Sequence, residues 1–345
     1  MNLSLSRRSL LLLLLFTAAC GPRGPQEYLF EGRAMGTSYS VKIVSEAPLE
    51  SAETERLAGV IFAAIEDVNG KMSTYKEDSE LSRFNQLKTD EPFTVSAETL
   101  HVLVEAERIG ALSDGAYDIT VGPLVNLWGF GPGERTKNIS DEMIHAALAS
   151  VGWEKIEIDE AASTIRKLHP DVYVDLSSIA KGYGSDRVGE ALAAEGHPRY
   201  MVELGGEIRA AGLNLNGEPW RLAIERPVED QRAIERVVAL ENLSMATSGD
   251  YRNFYDAEGE RISHTIDPRT GRPVRGRVAA VSVVDPSCMT ADGWATALTA
   301  LGEDEGFAIA EREHLTALFQ FRQDDGTFEQ KPTSAFLRQF GQPTP

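Results

Sequence analysis

Residues 263–273 combine an imidazole, a carboxylate, two guanidinium groups and several turn-forming residues in one short segment. Such a combination is typical of a functional site. The residue before a proline is displaced from the helical region, so Asp267-Pro268 followed by Gly271 predicts the end of a strand and then a turn. We expect His264 to lie on the last part of a strand over residues 262–266. A solvated surface turn would use the same residue types, so this segment alone leaves its function open.

A second candidate site consists of Asp292 and Thr296, four residues apart on a helix predicted over residues 289–301. Residues at this spacing share one helix face, so both oxygens could reach a hard divalent cation such as Mg²⁺. The alternative is structural, because Asp292 could complement the helix N-terminus while Thr296 bonds its own backbone.

A third candidate spans residues 175–184, where a strand over 172–174 is expected to lead into a helix over 177–195. The start of a helix favours anions, and Lys181 could add a positive charge to such a site. Ser177 could instead be a simple N-cap. The turn Ala116-Tyr117-Asp118 is a further candidate. Its aromatic ring and carboxylate could hold a ring system or could belong to the core.

Several common enzyme classes lack their motifs in this sequence. Gly205-Gly206 is not a dinucleotide fingerprint, because the third glycine and the following helix are missing. The sequence also contains no phosphate-binding P-loop, no zinc-protease helix and no serine-hydrolase elbow.

The chain begins with Arg7-Arg8 followed by an apolar stretch that ends in small residues before Cys20. This arrangement predicts a signal peptide over residues 1–19, too short to span a bilayer. Ala18-Ala19-Cys20 resembles a bacterial lipobox, which implies lipidation of Cys20 and a tether over residues 20–30. We therefore expect an exported protein, lipid-anchored at the periplasmic face of a bacterial membrane. Whether export uses the general or the twin-arginine route stays open.

The net charge of −19 argues against nucleic acid as a partner, because phosphate binding needs a basic surface. Only two cysteines occur, so a lipidated Cys20 would leave Cys288 without a partner and the fold without a disulfide. Residues 31–335 are expected to form one domain or two closely joined subdomains around a large core.

The elements that must position these candidates alternate between strands and long helices. Period-2 and helical patterns predict strands over 39–45, 200–204, 220–225, 237–240, 250–256, 278–284 and 315–321, another through Ile208, and helices over 53–69, 96–112, 290–301 and from Ser140. Neighbouring strands with short turns, interrupted by helices, favour an α+β fold with mixed, largely antiparallel sheets and packed helices.

Seven segments in order resemble the ApbE-like FAD:protein FMN transferase family. They extend over nearly the whole chain after the tether and comprise Met35-Gly36-Thr37, residues 72–85, 115–120, 175–184, 247–251, 264–273 and 290–298. The resemblance implies an ApbE-like, T-fold-related architecture. It also implies a magnesium-dependent enzyme that moves FMN from FAD onto a threonine or serine of an acceptor flavoprotein, such as a subunit of a membrane redox complex, and releases AMP.

The same resemblance implies roles for individual residues of this chain. It assigns FAD binding to Met35, Tyr75, Ala116, Tyr117, Asp118, Asp175, Lys181 and Thr265. It assigns the Mg²⁺ site to Ser178, Met289, Asp292 and Thr296, with Met289 acting through its backbone oxygen because a thioether does not suit a hard cation. Glu203 and Glu207 depart from the family's usual residues around Gly205-Gly206 and are given no ligand role.

His264 matches the histidine of the family's His-x-Ile-Asp-Pro motif, and we expect it, or a nearby carboxylate, to take the proton of the acceptor hydroxyl. Two other functions stay open. One is a magnesium-dependent FAD pyrophosphatase that uses water and releases FMN and AMP. The other is a lipoprotein that binds FAD without catalysis.

Overall fold

The computed structural model of the chain describes residues 24–132, 136, 138–228, 233–249, 254–257 and 260–342. The expected signal peptide, Cys20 and residues 250–253 of an expected strand lie outside these residues. The expected tether ends earlier than residue 30, because Gln26 already begins the first strand.

The strands of the described chain are β1 (Gln26–Ala34), β2 (Thr37–Ser45), β3 (Phe93–Thr94), β4 (Ile156–Asp159), β5 (Thr164–Lys167), β6 (Tyr200–Leu204), β7 (Glu207–Ala211), β8 (Trp220–Glu225), β9 (Ile234–Leu240), β10 (Leu243–Gly249), β11 (Phe254–Ala257), β12 (Glu260–Ser263), β13 (Ile266–Asp267), β14 (Arg272–Pro273), β15 (Val278–Asp285), β16 (Thr316–Arg322) and β17 (Phe328–Pro332). Eight of them form one antiparallel sheet in the order β1-β2-β6-β7-β10-β15-β16-β17. The others form small sheets, β3-β5-β4 and the pairs β8-β9, β11-β12 and β13-β14.

The helices are α1 (Ser51–Met72), α2 (Glu80–Gln86), α3 (Ala97–Leu112), α4 (Gly122–Leu127), α5 (Asp141–Leu148), α6 (Ala180–Ala194), α7 (Cys288–Arg312) and α8 (Ser334–Phe340). As the sequence predicts, serines cap α3 and α5: the hydroxyls of Ser96 and Ser140 accept hydrogen bonds from the backbone N–H groups of Thr99 and Met143. α7 is interrupted at Gly302, where φ is +80°, so the predicted helix end at residue 301 coincides with this break.

The large sheet has apolar side chains on both faces. Val41 and Ile43 of β2 pack with helices α1 and α6, and Val281 and Val283 of β15 pack with α7. Val284, one residue further along β15, joins a cluster on the other face with the β8-β9 hairpin and α8. Because successive strand residues point to opposite faces, the sheet is the middle layer between helices and the hairpin. The mixed, largely antiparallel α+β prediction is confirmed.

Three local predictions are wrong. Residues 172–174 form no strand, because the side-chain amide of Asn85 bonds both the N–H and the carbonyl of Val174 in place of a strand partner. Helix α6 begins at Ala180 and not at Ser177, whose N–H donates to the Asp175 carboxylate instead. The expected strand over residues 262–266 breaks after Ser263 and resumes at Ile266, which leaves His264 between two strands.

No helix within the described ranges is long and apolar enough to cross a membrane.

Candidate functional site

A cleft of about 450 Å³ opens at the turn between β6 and β7, bordered by the start of α6, the first half of α7, β8, β10 and the segment between β12 and β13. Most of the site residues predicted from the sequence line it. They are Ala116, Tyr117, Asp118, Asp175, Ser178, Lys181, His264, Thr265, Asp292 and Thr296. Residues that lie up to about 180 positions apart in the chain therefore share one cavity.

Three charged residues lie together at the cleft wall. The Lys181 Nζ atom is 2.7 Å from Oε1 of Glu207, and both groups interact electrostatically with Asp292. Glu207 and Asp292 are only about 5% exposed. Oε2 of Glu207 is buried and finds no hydrogen-bond partner among the described residues. Two buried carboxylates thus face one partly exposed ammonium group.

This burial changes the acidity of all three groups. Burial raises the pKa of Glu207 to about 7, although the Lys181 ammonium opposes the rise and Asp292 adds to it. Burial likewise raises the pKa of Asp292, against the effects of Lys181 and of the Gly182 N–H. For Lys181, burial lowers the pKa, but the two carboxylates outweigh it and the pKa lies above its ordinary value. A bound cation would therefore be stabilised at this cluster, because it would offset the negative charge of two buried carboxylates that share one ammonium group.

Asp292 reaches this cluster because α6 and α7 approach each other closely at Gly182. The Gly182 N–H donates to Oδ2 of Asp292 at 3.0 Å. A Cβ atom at Gly182 would lie 2.4 Å from the Cys288 carbonyl oxygen. Only glycine permits this helix contact, which brings the carboxylate of one helix to the first turn of the other.

The turn between β6 and β7 completes this wall. Gly205 and Gly206 have φ of +68° and +103°, a region that favours glycine. A Cβ atom at Gly205 would lie 2.9 Å from Thr37 and 3.1 Å from Lys181. The glycine pair thus allows close backbone approach, as the sequence indicates.

Tyr117 and Asp175 form the floor on the other side. The Ser178 hydroxyl donates to the Tyr117 hydroxyl at 3.0 Å, and burial raises the pKa of Tyr117 well above its usual range. Tyr117 therefore stays neutral and holds Ser178 in place. Oδ1 of Asp175 accepts the Ser177 N–H at 2.8 Å, which shapes the turn before α6.

Asp118 lines the cleft, but both of its carboxylate oxygens already have protein partners. Oδ1 accepts the N–H and the hydroxyl of Thr120 at 2.7 and 2.6 Å, and Oδ2 accepts the Trp153 N–H at 2.9 Å. Burial raises the pKa of Asp118 despite these bonds. The Asp118 side chain thus ties the turn at Thr120 to Trp153, and its predicted contact with FAD stays a prediction.

His264 lies half-buried at the mouth of the cleft, and its ring meets that of Phe130 edge-on with centroids 6.2 Å apart. Phe130 stacks in turn on Tyr255 at 5.3 Å. Thr265 is buried, and its carbonyl accepts the Val274 N–H at 2.9 Å. The turn at Asp267 is as predicted, with the Gly271 N–H donating to the Asp267 carbonyl.

Three predicted site residues are not in the lining. Tyr75 is 67% exposed at the rim, where its hydroxyl donates to the Phe130 carbonyl at 3.3 Å. Met35 occupies the β1-β2 turn with φ of +49° and packs against the core. Met289 is buried, and its N–H donates to Asp186 at 2.9 Å.

The expected metal ligands are therefore brought together in part. Asp292, Thr296 and Ser178 share the cleft, whereas Met289 is not among its lining residues. No group of three histidine, cysteine or acidic residues suited to a metal occurs within the described ranges. The hard oxygens present suit Mg²⁺, which usually takes one or two carboxylates and completes its shell with water and substrate phosphates.

Among the lining residues to which the sequence reasoning gave no role are Glu203, Glu207 and Phe130. The two glutamates were set aside because they differ from the residues usual in the family, yet Glu207 is the direct partner of Lys181. Their position on either side of a glycine turn was an available signal. Phe130 gave none, because its place depends on the distant Tyr75, Tyr255 and His264.

The chain therefore belongs to the class of proteins in which an antiparallel sheet is flanked by helices and a charged cleft lies at one hairpin turn. The sequence profile of the ApbE family matches residues 35–319. The chain is 48% identical over 324 residues to a FAD:protein FMN transferase of Vibrio cholerae, covering 94% of this chain and 95% of that protein. The match to a FAD:protein FMN transferase of Haemophilus influenzae is 47% over 312 residues, covering 89% and 90%.

A solved structure agrees with these relatives. The flavin transferase ApbE from Vibrio cholerae superposes with a TM-score of 0.84 at 46% identity, over 92% of this chain and all of that chain. This protein belongs to the ApbE family.

Proposed function

We propose that this protein is a magnesium-dependent FAD:protein FMN transferase that attaches FMN through a phosphoester to a threonine or serine of an acceptor flavoprotein. The observation that carries the proposal is the meeting of Lys181, Asp292, Thr296 and His264 in one cleft. That cleft combines a positive group for a pyrophosphate, oxygens for a hard cation and an imidazole at the mouth. The names of the relatives support the choice of FAD as donor and of a protein as acceptor.

Asp292 and Thr296 are the residues proposed to hold Mg²⁺, with Ser178 beside them. The excess of buried carboxylate over ammonium, and the buried unpaired oxygen of Glu207, support a cation at this wall. Met289 is not proposed as a ligand, since it lies outside the cleft. When bound, Mg²⁺ would offset the negative charge of the pyrophosphate and of the departing AMP.

The chain's own residues account for binding and proton transfer. The Lys181 ammonium, kept charged by its two carboxylate neighbours, is proposed to contact the pyrophosphate. His264 takes the proton of the acceptor hydroxyl as its oxygen forms a bond to the FMN phosphorus. The bond from that phosphorus to the bridging oxygen breaks, and AMP leaves with the electron pair.

We further propose that the protein is exported and lipid-anchored through Cys20 at the periplasmic face of the membrane. The support is the apolar leader and the small residues before Cys20. Labelling with a radioactive fatty acid, lost in Cys20→Ser, would test the anchor.

The transfer itself is tested with the chain from Gly21 onward, FAD, Mg²⁺ and a candidate acceptor domain from the same genome, by intact-mass spectrometry. A mass gain of FMN minus water, abolished by EDTA, is expected. Free FMN and AMP without a gain would identify a pyrophosphatase instead. FAD that stays bound and intact would identify a carrier.

A further inference from the structure

Both faces of the β8-β9 hairpin carry apolar residues, although Arg221 and Glu225 also lie on the outer face, opposite Ala239 and Ile234. Its inner face packs on the large sheet through Leu222, Ile224, Val238 and Leu240, all of which are buried. An antiparallel pair with one face in the core normally presents polar side chains on the other. The exposed apolar residues on the outer face of this hairpin therefore depart from the usual pattern.

The outer face consists mainly of apolar residues that water reaches. Ile234 is 66% exposed and Val237 44% exposed, and Ala223 and Ala239 are exposed as well. Ala223 lies directly opposite Val237 in the strand pairing, so their side chains form one surface. We call these four residues the outer hairpin face. Clustered exposed apolar residues of this kind often mark an interaction site.

This surface is continuous with the candidate active site. Ala223 belongs both to the outer hairpin face and to the lining of the cleft. Glu225, two residues further on β8, also lines the cleft and lies opposite Ile234. A molecule on the hairpin that contacts Ala223 and Glu225 would therefore lie at the border of the cleft.

We propose that the outer hairpin face docks the acceptor polypeptide beside the hydroxyl that receives FMN. This inference rests on the proposed function, because only a macromolecular acceptor must contact the protein beyond the cleft. The matching segment of the acceptor is expected to carry apolar side chains next to its threonine or serine. Contacts of this kind add affinity for the acceptor without changing how FAD is bound.

The test replaces Val237 with glutamate and measures transfer at varied concentrations of the acceptor domain that the wild type modifies. Val237→Glu should raise the KM for the acceptor at least tenfold, while the KM for FAD and the kcat stay within twofold. Leu29→Glu, at a 53% exposed position on β1, is the matched control and should leave all three unchanged. Ile234→Glu should reproduce the effect of Val237→Glu, which protects the test against one misfolded variant.

Equal acceptor KM values for wild type, Val237→Glu and Leu29→Glu would overturn the docking proposal. The proposed function would still hold in that case, because the wild type transfers FMN. Absence of transfer by the wild type would refute both. Two other occupants are distinguished directly. If Val237→Glu bound phosphatidylglycerol vesicles more weakly than the wild type and its acceptor KM were unchanged, the surface would be a lipid contact. If light scattering showed that Val237→Glu had lost a dimer and its acceptor KM were unchanged, the surface would bind a second copy of the chain. Either result would overturn the proposal.

Discussion

Gly182 and Asp292 are in such close contact that no side chain fits between them: a Cβ atom at Gly182 would lie 2.7 Å from the Cβ of Asp292. The same glycine donates its N–H to the Asp292 carboxylate. The packing of α6 against α7 and the position of Asp292, a proposed metal ligand, therefore both depend on the absence of a side chain at residue 182.

Gly182→Ala should consequently disturb both stability and function. Overpacking of a close contact typically costs about 1–3 kcal/mol, and the displaced Asp292 should weaken Mg²⁺ binding. Urea denaturation and Mg²⁺ titration of the transfer rate measure the two effects. The control is Gly59→Ala in α1, where a Cβ meets nothing within 4 Å. Equal behaviour of the two variants would show that the helix contact is not needed.

Asp292→Asn should abolish most of the Mg²⁺ dependence, because the amide keeps the shape of the side chain but removes its negative charge. We expect the Mg²⁺ concentration for half-maximal transfer to rise at least tenfold. Calorimetric Mg²⁺ titration in the presence of FAD gives a second readout that does not depend on turnover. Asp304→Asn, at an exposed position on the same helix, is the control. An unchanged Mg²⁺ titration for Asp292→Asn would exclude it as a ligand.

His264→Ala should lower kcat by about 10²–10⁴-fold, the usual contribution of a general base. FAD binding, followed by flavin fluorescence, should change little because the imidazole lies at the mouth of the cleft. His145→Ala, at an exposed position on α5, controls for loss of a histidine as such. Retention of most of the transfer rate by folded His264→Ala would mean that another group takes the proton.

Removing the carboxylate of Glu207 should deprive the partly buried Lys181 ammonium of its hydrogen-bond partner and leave it the electrostatic attraction of Asp292. Breaking a fully buried pair from one side costs about 3–5 kcal/mol, so Glu207→Leu should be destabilised by less than this and Glu207→Gln less still. Urea denaturation measures both. Asp171→Asn, which breaks the exposed pair with Lys88, should leave the transition unchanged. A Glu207→Leu protein as stable as the wild type would contradict the buried-pair interpretation.

Lys167 should make stability depend on alkaline pH. Its side chain is buried and its Nζ donates to the carbonyls of Asn85 and Leu87, and no carboxylate among the described residues is in hydrogen-bond contact with it. Burial, with a smaller effect of Lys88, lowers its pKa to about 8 from 10.5. Between these two pKa values the unfolded chain binds more protons than the folded one, so the free energy of unfolding rises with pH. Below the lower value both states are protonated, and the cost of burying the charged Lys167 stays constant.

The slope from this residue is at most about 1.4 kcal/mol per pH unit. Denaturation of wild type and Lys167→Met from pH 7 to 10 measures it as a difference, which removes the effects of other groups. The stability of the wild type relative to Lys167→Met should increase above pH 8. Parallel curves would show that Lys167 keeps its proton through that range.

Local patterns predicted most of the strands and helices, because strand alternation, helical spacing and serine caps act over a few residues. They failed where a distant side chain replaced a local partner. The amide of Asn85 bonds the backbone of Val174, 89 residues away in sequence, and removes the expected strand there. The late start of α6 has a local cause instead, because the Asp175 carboxylate accepts the N–H of Ser177, two residues further along the chain.

The sequence by itself determined the kinds of groups available: an imidazole before a turn, a carboxylate and a hydroxyl on one helix face, a lysine at a helix start, and an ordered set of motifs resembling the ApbE family. Only the tertiary structure decided which of these groups meet. Asp118 uses its two oxygens to bind Thr120 and the N–H of Trp153, 35 residues away, and Met289 does not belong to the cleft lining, although the sequence predicts both as site residues. Glu207 becomes the partner of Lys181 because the glycine turn and the close contact of α6 with α7 bring them together, and such long-range packing leaves no local pattern in the chain.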